Sequence, residues 1–299
     1  MGHEHTHEVK NYNRAFTIGV LLNVSFVIIE AVYGLLANSL SLLADAGHNL
    51  SDVMGLLLAW GASWMATVAA STKRTYGFKK ITVLASLASA LLLFIALAGI
   101  FYEALERLKE PHPVEGLTVI IVAGIGVFIN TATALLFMKD QKEDLNIRGA
   151  FLHMAADALI SLGVVIAGMV ILYKGWLWVD PAVSIVITIV IFIGTWGLLR
   201  DSVNYLIDAV PKGIEEEQVR AYLQSIETVE SLHDLHIWPL STTQTALSVH
   251  LVLDPLPQSQ NDFLYTVQEA LYERFGIIHS TIQIEESGIN NRCLLQKEV

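Results

Sequence analysis

The chain has 299 residues, of which 54% are hydrophobic and only 16% charged, against about 25% charged in an ordinary soluble domain. That composition excludes a soluble globule for most of the length, and a formal net charge of −11 argues against nucleic acid as a partner. The single cysteine, Cys293, excludes an intramolecular disulfide and suits a tail in a reducing compartment.

The charge deficit is uneven. Residues 1–210 are apolar with short charged gaps, whereas residues 211–299 read as an ordinary soluble segment with IEEEQ and QSQND stretches. The expected organisation is a histidine-containing tail over 1–14, a membrane domain over 15–208 and a C-terminal domain over 209–299. The opening MGHEHTHEVKNYNR is polar and does not read as a cleavable signal. Its HEHTH is a compositional metal-binding tract, with a flexible solvated terminus as the alternative.

A helix needs about 20 apolar residues to cross a bilayer, and six segments qualify: 15–37, 40–66, 81–105, 116–138, 148–173 and 181–206. A short turn at Asn38-Ser39 makes the first two a tight hairpin. Pro111 and Pro113 punctuate a later gap, and Pro181 suits the first turn of the last span. Lys10, Arg14, Lys73, Arg74, Lys79, Lys80, Lys139, Lys142, Arg148 and Arg200 fall on one side; the other has only Arg107, Lys109 and Lys174. The positive-inside rule then predicts both termini in the cytoplasm.

Polar residues interrupt two of these spans. In LLADAGHNLSDVMG, His48 and Asp52 are four apart and so share one face of a helix. The same spacing returns in RGAFLHMAADALISLG as His153 and Asp157. An ionised side chain at mid-bilayer costs about 2.5–3.5 kcal/mol on insertion scales, so two such pairs call for a reason. Together they offer two nitrogens and two oxygens, which suits a tetrahedral zinc-type site better than an all-oxygen magnesium or calcium site. Small neighbours (Ala44, Ala46, Gly47; Ala155, Ala156, Ala158) let the two helices approach. Asp45 either orients His48 from behind or lines an entry path, and Asn49 sits beside it. Glu30 and Asn23 of the first span and Asn130 of the fourth either satisfy one another or line a wet cavity.

The C-terminal segment reads in order as helix, strand, strand, helix, strand: GIEEEQVRAYLQSI, VESLHDLHIWPL, QTALSVHLVLD, DFLYTVQEALYERFG and HSTIQIE. That order suits a small α+β sandwich. Its candidate metal ligands are His233, His236, His250, His279, Glu285 and Cys293, with ordinary surface or packing histidines as the alternative.

These motifs, with RTYGFKKITVLASLASALLL, the DAVP closing the last span and HDLHIW at 233–238, resemble the cation diffusion facilitator family of zinc transporters. The likeness runs from about Asn13 to Glu285. It implies a homodimer of six-helix transmembrane bundles, each with a cytosolic α+β domain of ferredoxin-like type. It further implies zinc export from the cytoplasm by proton-coupled antiport, with His48, Asp52, His153 and Asp157 as the transport site. A histidine at the first of these positions accompanies zinc preference in the family, whereas aspartate there broadens selectivity toward cadmium; cobalt is a further candidate ion.

Within the tail, His233, His250 and Glu285 match the family's cytosolic zinc ligands best, leaving His236, His279 and Cys293 as weaker candidates. Gln283 stands where some members have a ligating histidine. Lys80 and Asp208 fall where the family has a charge interlock tying protomers together; a snorkelling lysine is the alternative. Ser71, Arg74 and Phe78 occupy the positions of a further zinc site found in some members, which implies that this site is absent. The short KDQKEDLN gap points to a bacterial-type member, hence to an inner membrane. A zinc-permeable channel and a metal-sensing membrane protein are the competing readings. The sole H-E-x-x-H match, HEHTH at 3–7, lies outside the predicted spans, so an intramembrane metalloenzyme ranks below both.

Overall fold

The structure is a computed structural model and describes residues 13–138 and 145–288. Each of the six expected spans is a helix: α1 (Asn13–Leu36), α2 (Leu40–Ala66), α3 (Ile81–Lys109), α4 (Gly116–Phe137), α5 (Leu145–Lys174) and α6 (Val179–Leu206). Among the described residues, α3 to α6 each contain a stretch long and apolar enough to cross a membrane. Their outward-facing Leu92, Ile95, Phe128, Leu159 and Ile193 are exposed, which in water would be costly and in lipid is the expected state.

The chain divides into two compact units, one of residues up to Leu57 with Ser89–Trp196, the other of Leu58–Ala88 with Gly197 onward. The first unit is knit by short hydrogen bonds at one end and small residues in the middle. Between α1 and α2 the chain turns at Asn38, whose φ of 54° is in the left-handed region that asparagine tolerates. The buried Asp180, in the first turn of α6, then receives Ser39 Oγ at 2.6 Å, the Leu40 amide at 2.7 Å and Ser41 Oγ at 2.6 Å. One carboxylate so takes the Leu40 and Ser41 amides that the start of α2 leaves open, Ser39 Oγ takes that of Leu42, and the charge suits the positive end of that helix.

Glycine sets the spacing of α4 and α5. A Cβ on Gly116 would lie 2.9 Å from the Gly168 carbonyl oxygen, and one on Gly168 would lie 2.9 Å from Ile120 Cγ1. A Cβ on Gly126 would meet Phe26 Cζ at 2.7 Å and Ser161 Oγ at 3.2 Å, so α1, α4 and α5 converge there. Leu42, Leu97, Val119, Val164 and Ile187, one from each of α2 to α6, form the apolar centre of this unit.

The second unit holds the C-terminal domain: α7 (Glu216–Gln224), β1 (Val229–Pro239), β2 (Thr245–Leu253), α8 (Gln260–Phe275) and β3 (Ile277–Glu286). The helix–strand–strand–helix–strand order expected from the sequence is present. The sheet runs β1-β2-β3, with β1 antiparallel and β3 parallel to β2. The parallel pairing requires a crossover, which α8 supplies. Ser259 Oγ caps the start of α8 by accepting from the Asp262 amide at 3.3 Å, and Gly276, at φ 67°, ends it with its amide on Tyr272 O. Val219 and Leu223 of α7, and Val267 and Leu271 of α8, pack on Leu247, Val249 and Leu251 of β2 to form the core.

Candidate metal centres

The membrane cluster begins with helical spacing. His153 and Asp157 are separated by one turn on α5, and His153 Nε2 lies 3.6 Å from Asp157 Oδ2. From α2, His48 Nε2 reaches 3.2 Å from Asp157 Oδ1. The two imidazoles meet edge to face with centroids 5.9 Å apart. One potential ligand atom from each of the three residues lies within 4.8 Å of the others. The Asp157 side chain is 2% exposed, His48 14% and His153 43%, so the carboxylate is enclosed while one imidazole faces open space. Two nitrogens and an oxygen this close, with room to contract, can hold a zinc-sized divalent ion, and a further ligand would complete a tetrahedron. Asp52 lies on the same helix as His48, but its side chain is outside the described residues.

The polar residues behind this cluster are placed differently from one another. Asp45 is fully buried and accepts from Ser161 Oγ of α5 at 2.7 Å. Asn49 donates from Nδ2 to Glu30 Oε2 of α1 at 3.1 Å. Sequence reasoning passed over Ser161. The signal for it was there, because His153, Asp157 and Ser161 repeat at four-residue spacing along one face of α5.

A second cluster forms across the three strands of the C-terminal domain. The antiparallel register sets His233 of β1 opposite His250 of β2, and Glu285 arrives on β3 beside them. His250 Nδ1 lies 3.0 Å from Glu285 Oε1, and His233 Nε2 lies 3.5 Å from Glu285 Oε2. The imidazole centroids are 5.0 Å apart, and the ligand atoms again fall within 4.8 Å of one another. Gln283, two residues along the strand, donates to Glu285 Oε1 at 2.8 Å.

Asp234 was not among the expected residues. A shift in the β1–β2 register between His233 and His236 leaves it at φ 53°, a bulge that turns its carboxylate toward two imidazoles. Its Oδ1 is 2.9 Å from His236 Nε2 and its Oδ2 is 3.5 Å from His250 Nε2. A carboxylate on the second nitrogen of a histidine fixes its orientation and makes it a better ligand.

The remaining candidates lie elsewhere. His279 stacks edge-on against Tyr76, with centroids 5.6 Å apart. Cys293 and the HEHTH tract lie outside the described residues. Lys80 Nζ donates to Asp208 and, at 2.9 Å, to the Pro239 carbonyl oxygen.

The cation efflux transmembrane domain family matches residues 16–207, and the family described as cation efflux protein, cytoplasmic domain, matches residues 211–287. Cation efflux system protein CzcD of Alcaligenes sp. (strain CT14) is 36% identical over 284 residues, covering 95% of this chain and 90% of that protein. A cadmium, cobalt and zinc/H(+)-K(+) antiporter of Bacillus velezensis is also 36% identical, covering all of this chain and 97% of its own. Zinc transporter ZitB of Escherichia coli K12 is 33% identical, covering 95% and 93%. Among solved structures, the metal-bound C-terminal domain of the CzcD transporter from Cuprividus metallidurans aligns with 24% of this chain and 99% of that domain, at 33% identity and a TM-score of 0.23. With both family domains matched in order along an apolar six-helix chain, and with relatives of this identity spanning nearly its whole length, the chain belongs to the cation efflux family of membrane transporters.

Proposed function

We propose that the chain exports zinc from the cytoplasm in exchange for protons, by alternating access, as a homodimer in a bacterial inner membrane with both termini cytoplasmic. The single observation that carries this is the meeting of His48, His153 and Asp157 between α2 and α5 within 4.8 Å, in a chain of the cation efflux family. Asp52 completes the ligand set in this reading. Residues 15–208 form the membrane domain and residues 209–299 the cytosolic one. His233, His250 and Glu285 hold a further zinc ion there, with Asp234 orienting His250 and His236. Cadmium and cobalt, which the Bacillus relative's name includes, are competing cargo.

The chemistry follows from the ligand types. Imidazole titrates near neutral pH, and a metal ligand must give up its proton to bind. Zinc entering from the cytoplasm displaces protons from the cluster, and protons arriving from the opposite side displace zinc. Separation of α2 from α5 on one side and then the other gives access in turn. Purified protein in liposomes should take up zinc against an opposing proton flux, and His153→Ala or Asp157→Ala should reduce that uptake to background. Full uptake by either variant would overturn the assignment. A zinc-permeable channel is the rival reading; it would keep passing zinc after the proton gradient is collapsed, whereas the exchanger would stop accumulating it.

A further inference from the structure

Behind the membrane cluster two acids face each other with no counter-charge between them. Glu30 of α1 and Asp45 of α2 are both fully buried, and Asn49, which donates to Glu30, stands one turn from Asp45 on the same face of α2. Each has one oxygen with a donor: Asn49 Nδ2 on Glu30 Oε2, and Ser161 Oγ on Asp45 Oδ2. The other two oxygens, Glu30 Oε1 and Asp45 Oδ1, are buried with no hydrogen-bond donor among the described residues. Neither hydrogen bond goes to a member of the His48–His153–Asp157 cluster.

Two buried carboxylates that share a site cannot both stay ionised, and a buried acceptor without a donor is costly to leave so. A single proton between Glu30 Oε1 and Asp45 Oδ1 removes both penalties at once, since it supplies the missing donor and cancels one charge. We propose that Glu30 and Asp45 form a proton-holding pair, separate from the metal ligands, that gives up its proton when zinc binds next to it.

The surroundings make such coupling direct. Among the described residues, the titratable groups that the helices bring toward the pair are His48, three residues from Asp45 on α2, and Asp157, one turn from the Ser161 that donates to Asp45, both members of the metal cluster; Tyr33, one turn from Glu30 on α1, is exposed. Helix α4, packed beside α1, has no titratable residue between Gly116 and Phe137. Those of α3 (Tyr102, Glu103, Glu106, Arg107, Lys109) and α6 (Asp180, Arg200, Asp201, Tyr205) are near helix ends. A divalent ion among His48, His153 and Asp157 is thus the charge best placed to expel the proton. The inference rests on that cluster being the transport site, and its test separates the two.

Zinc titration calorimetry of the full-length protein in buffers of different ionisation enthalpy counts the protons released per zinc. In Glu30→Gln the count should fall by about one per protomer, because release follows the difference in bound protons between the two states, while the number of zinc ions bound stays the same. Protons released at the C-terminal cluster are common to both proteins and cancel in the comparison. Asp45→Asn should give the same loss, which covers the case where Glu30→Gln folds poorly. In the infrared, zinc-free wild type should show a carboxylic-acid C=O band that zinc removes and that is absent from Glu30→Gln.

An unchanged proton count overturns the pair, as does loss of a bound zinc in Glu30→Gln, which would make the acids a metal site. Absence of the acid band in the zinc-free wild type also overturns it, showing both groups ionised. The underlying reading fails separately, if His153→Ala binds and transports zinc like wild type.

Discussion

Behind the membrane cluster, Ser161 joins α5 to α2 through its hydroxyl. It is fully buried on α5, and its Oγ is the recorded donor to Asp45, itself fully buried on α2. Leaving a buried acceptor without its donor costs about 1–3 kcal/mol, and more for a charged one. Ser161→Ala should therefore lower the unfolding free energy in detergent by about that amount and bring the midpoint down with it, with Ser161→Thr retaining most of the stability. Equal midpoints for Ser161→Ala and wild type would show that the hydrogen bond carries no weight. The sequence made His48, His153 and Asp157 legible because histidine and aspartate are expensive in lipid and stand out at four-residue spacing. Serine is cheap in a transmembrane helix, so Ser161 did not stand out. Asp234 was hidden for another reason: regular alternation along β1 gives no warning of the bulge that turns it toward His236 and His250.

At the level of elements, the helices were readable to within four residues at either end, because hydropathy, prolines and basic gaps delimit them. The order of the C-terminal elements was readable from period and turn residues. Apart from the approach of α2 to α5, no sequence pattern showed how the elements meet. Asp180 reads as a first-turn acid of α6, yet its partners are Ser39, Leu40 and Ser41 at the start of α2. The glycines of α4 and α5 read as ordinary small residues of a membrane helix, yet Gly168 has Ile120 Cγ1 within 2.9 Å of where a Cβ would stand. Overfilling a packed contact costs about 1–3 kcal/mol, and here backbone as well as side chain must give way. Gly168→Leu should lose monodisperse elution in gel filtration or melt well below wild type. Gly163→Leu, where a Cβ would meet nothing within 4 Å, should behave like wild type.

At the scale of the whole molecule, the chain carries two His-and-carboxylate clusters that share no residue and lie in different compact units. Sites without common partners respond to substitution additively. Equilibrium dialysis with zinc should show His153→Ala losing one class of site, His250→Ala the other, and the double variant both. Transport should follow His153 far more than His250. Loss of both classes in either single variant would mean that the clusters are coupled. The pairing of Lys80 with Asp208 belongs at this scale too. Lys80 and Asp208 were expected at a charge interlock that ties protomers together, and they do pair with each other, both partly exposed. An exposed pair of this kind is worth about 0–1 kcal/mol, so it orients the segment before α3 more than it holds it.

The backbone contact of Gly116 with Gly168 has a mechanical consequence. With no side chain between them, α4 and α5 form a seam that opens only if backbone parts from backbone, so the two helices travel as one stave. That stave bears His153 and Asp157, whereas His48 rides on α2. In the transport reading proposed above, the ligand cluster is therefore split along the line where two staves part, and it loosens by their separation without any helix having to bend. Cysteines crosslinked across α4 and α5 should leave turnover intact, while the same bond between α2 and α5 should arrest it.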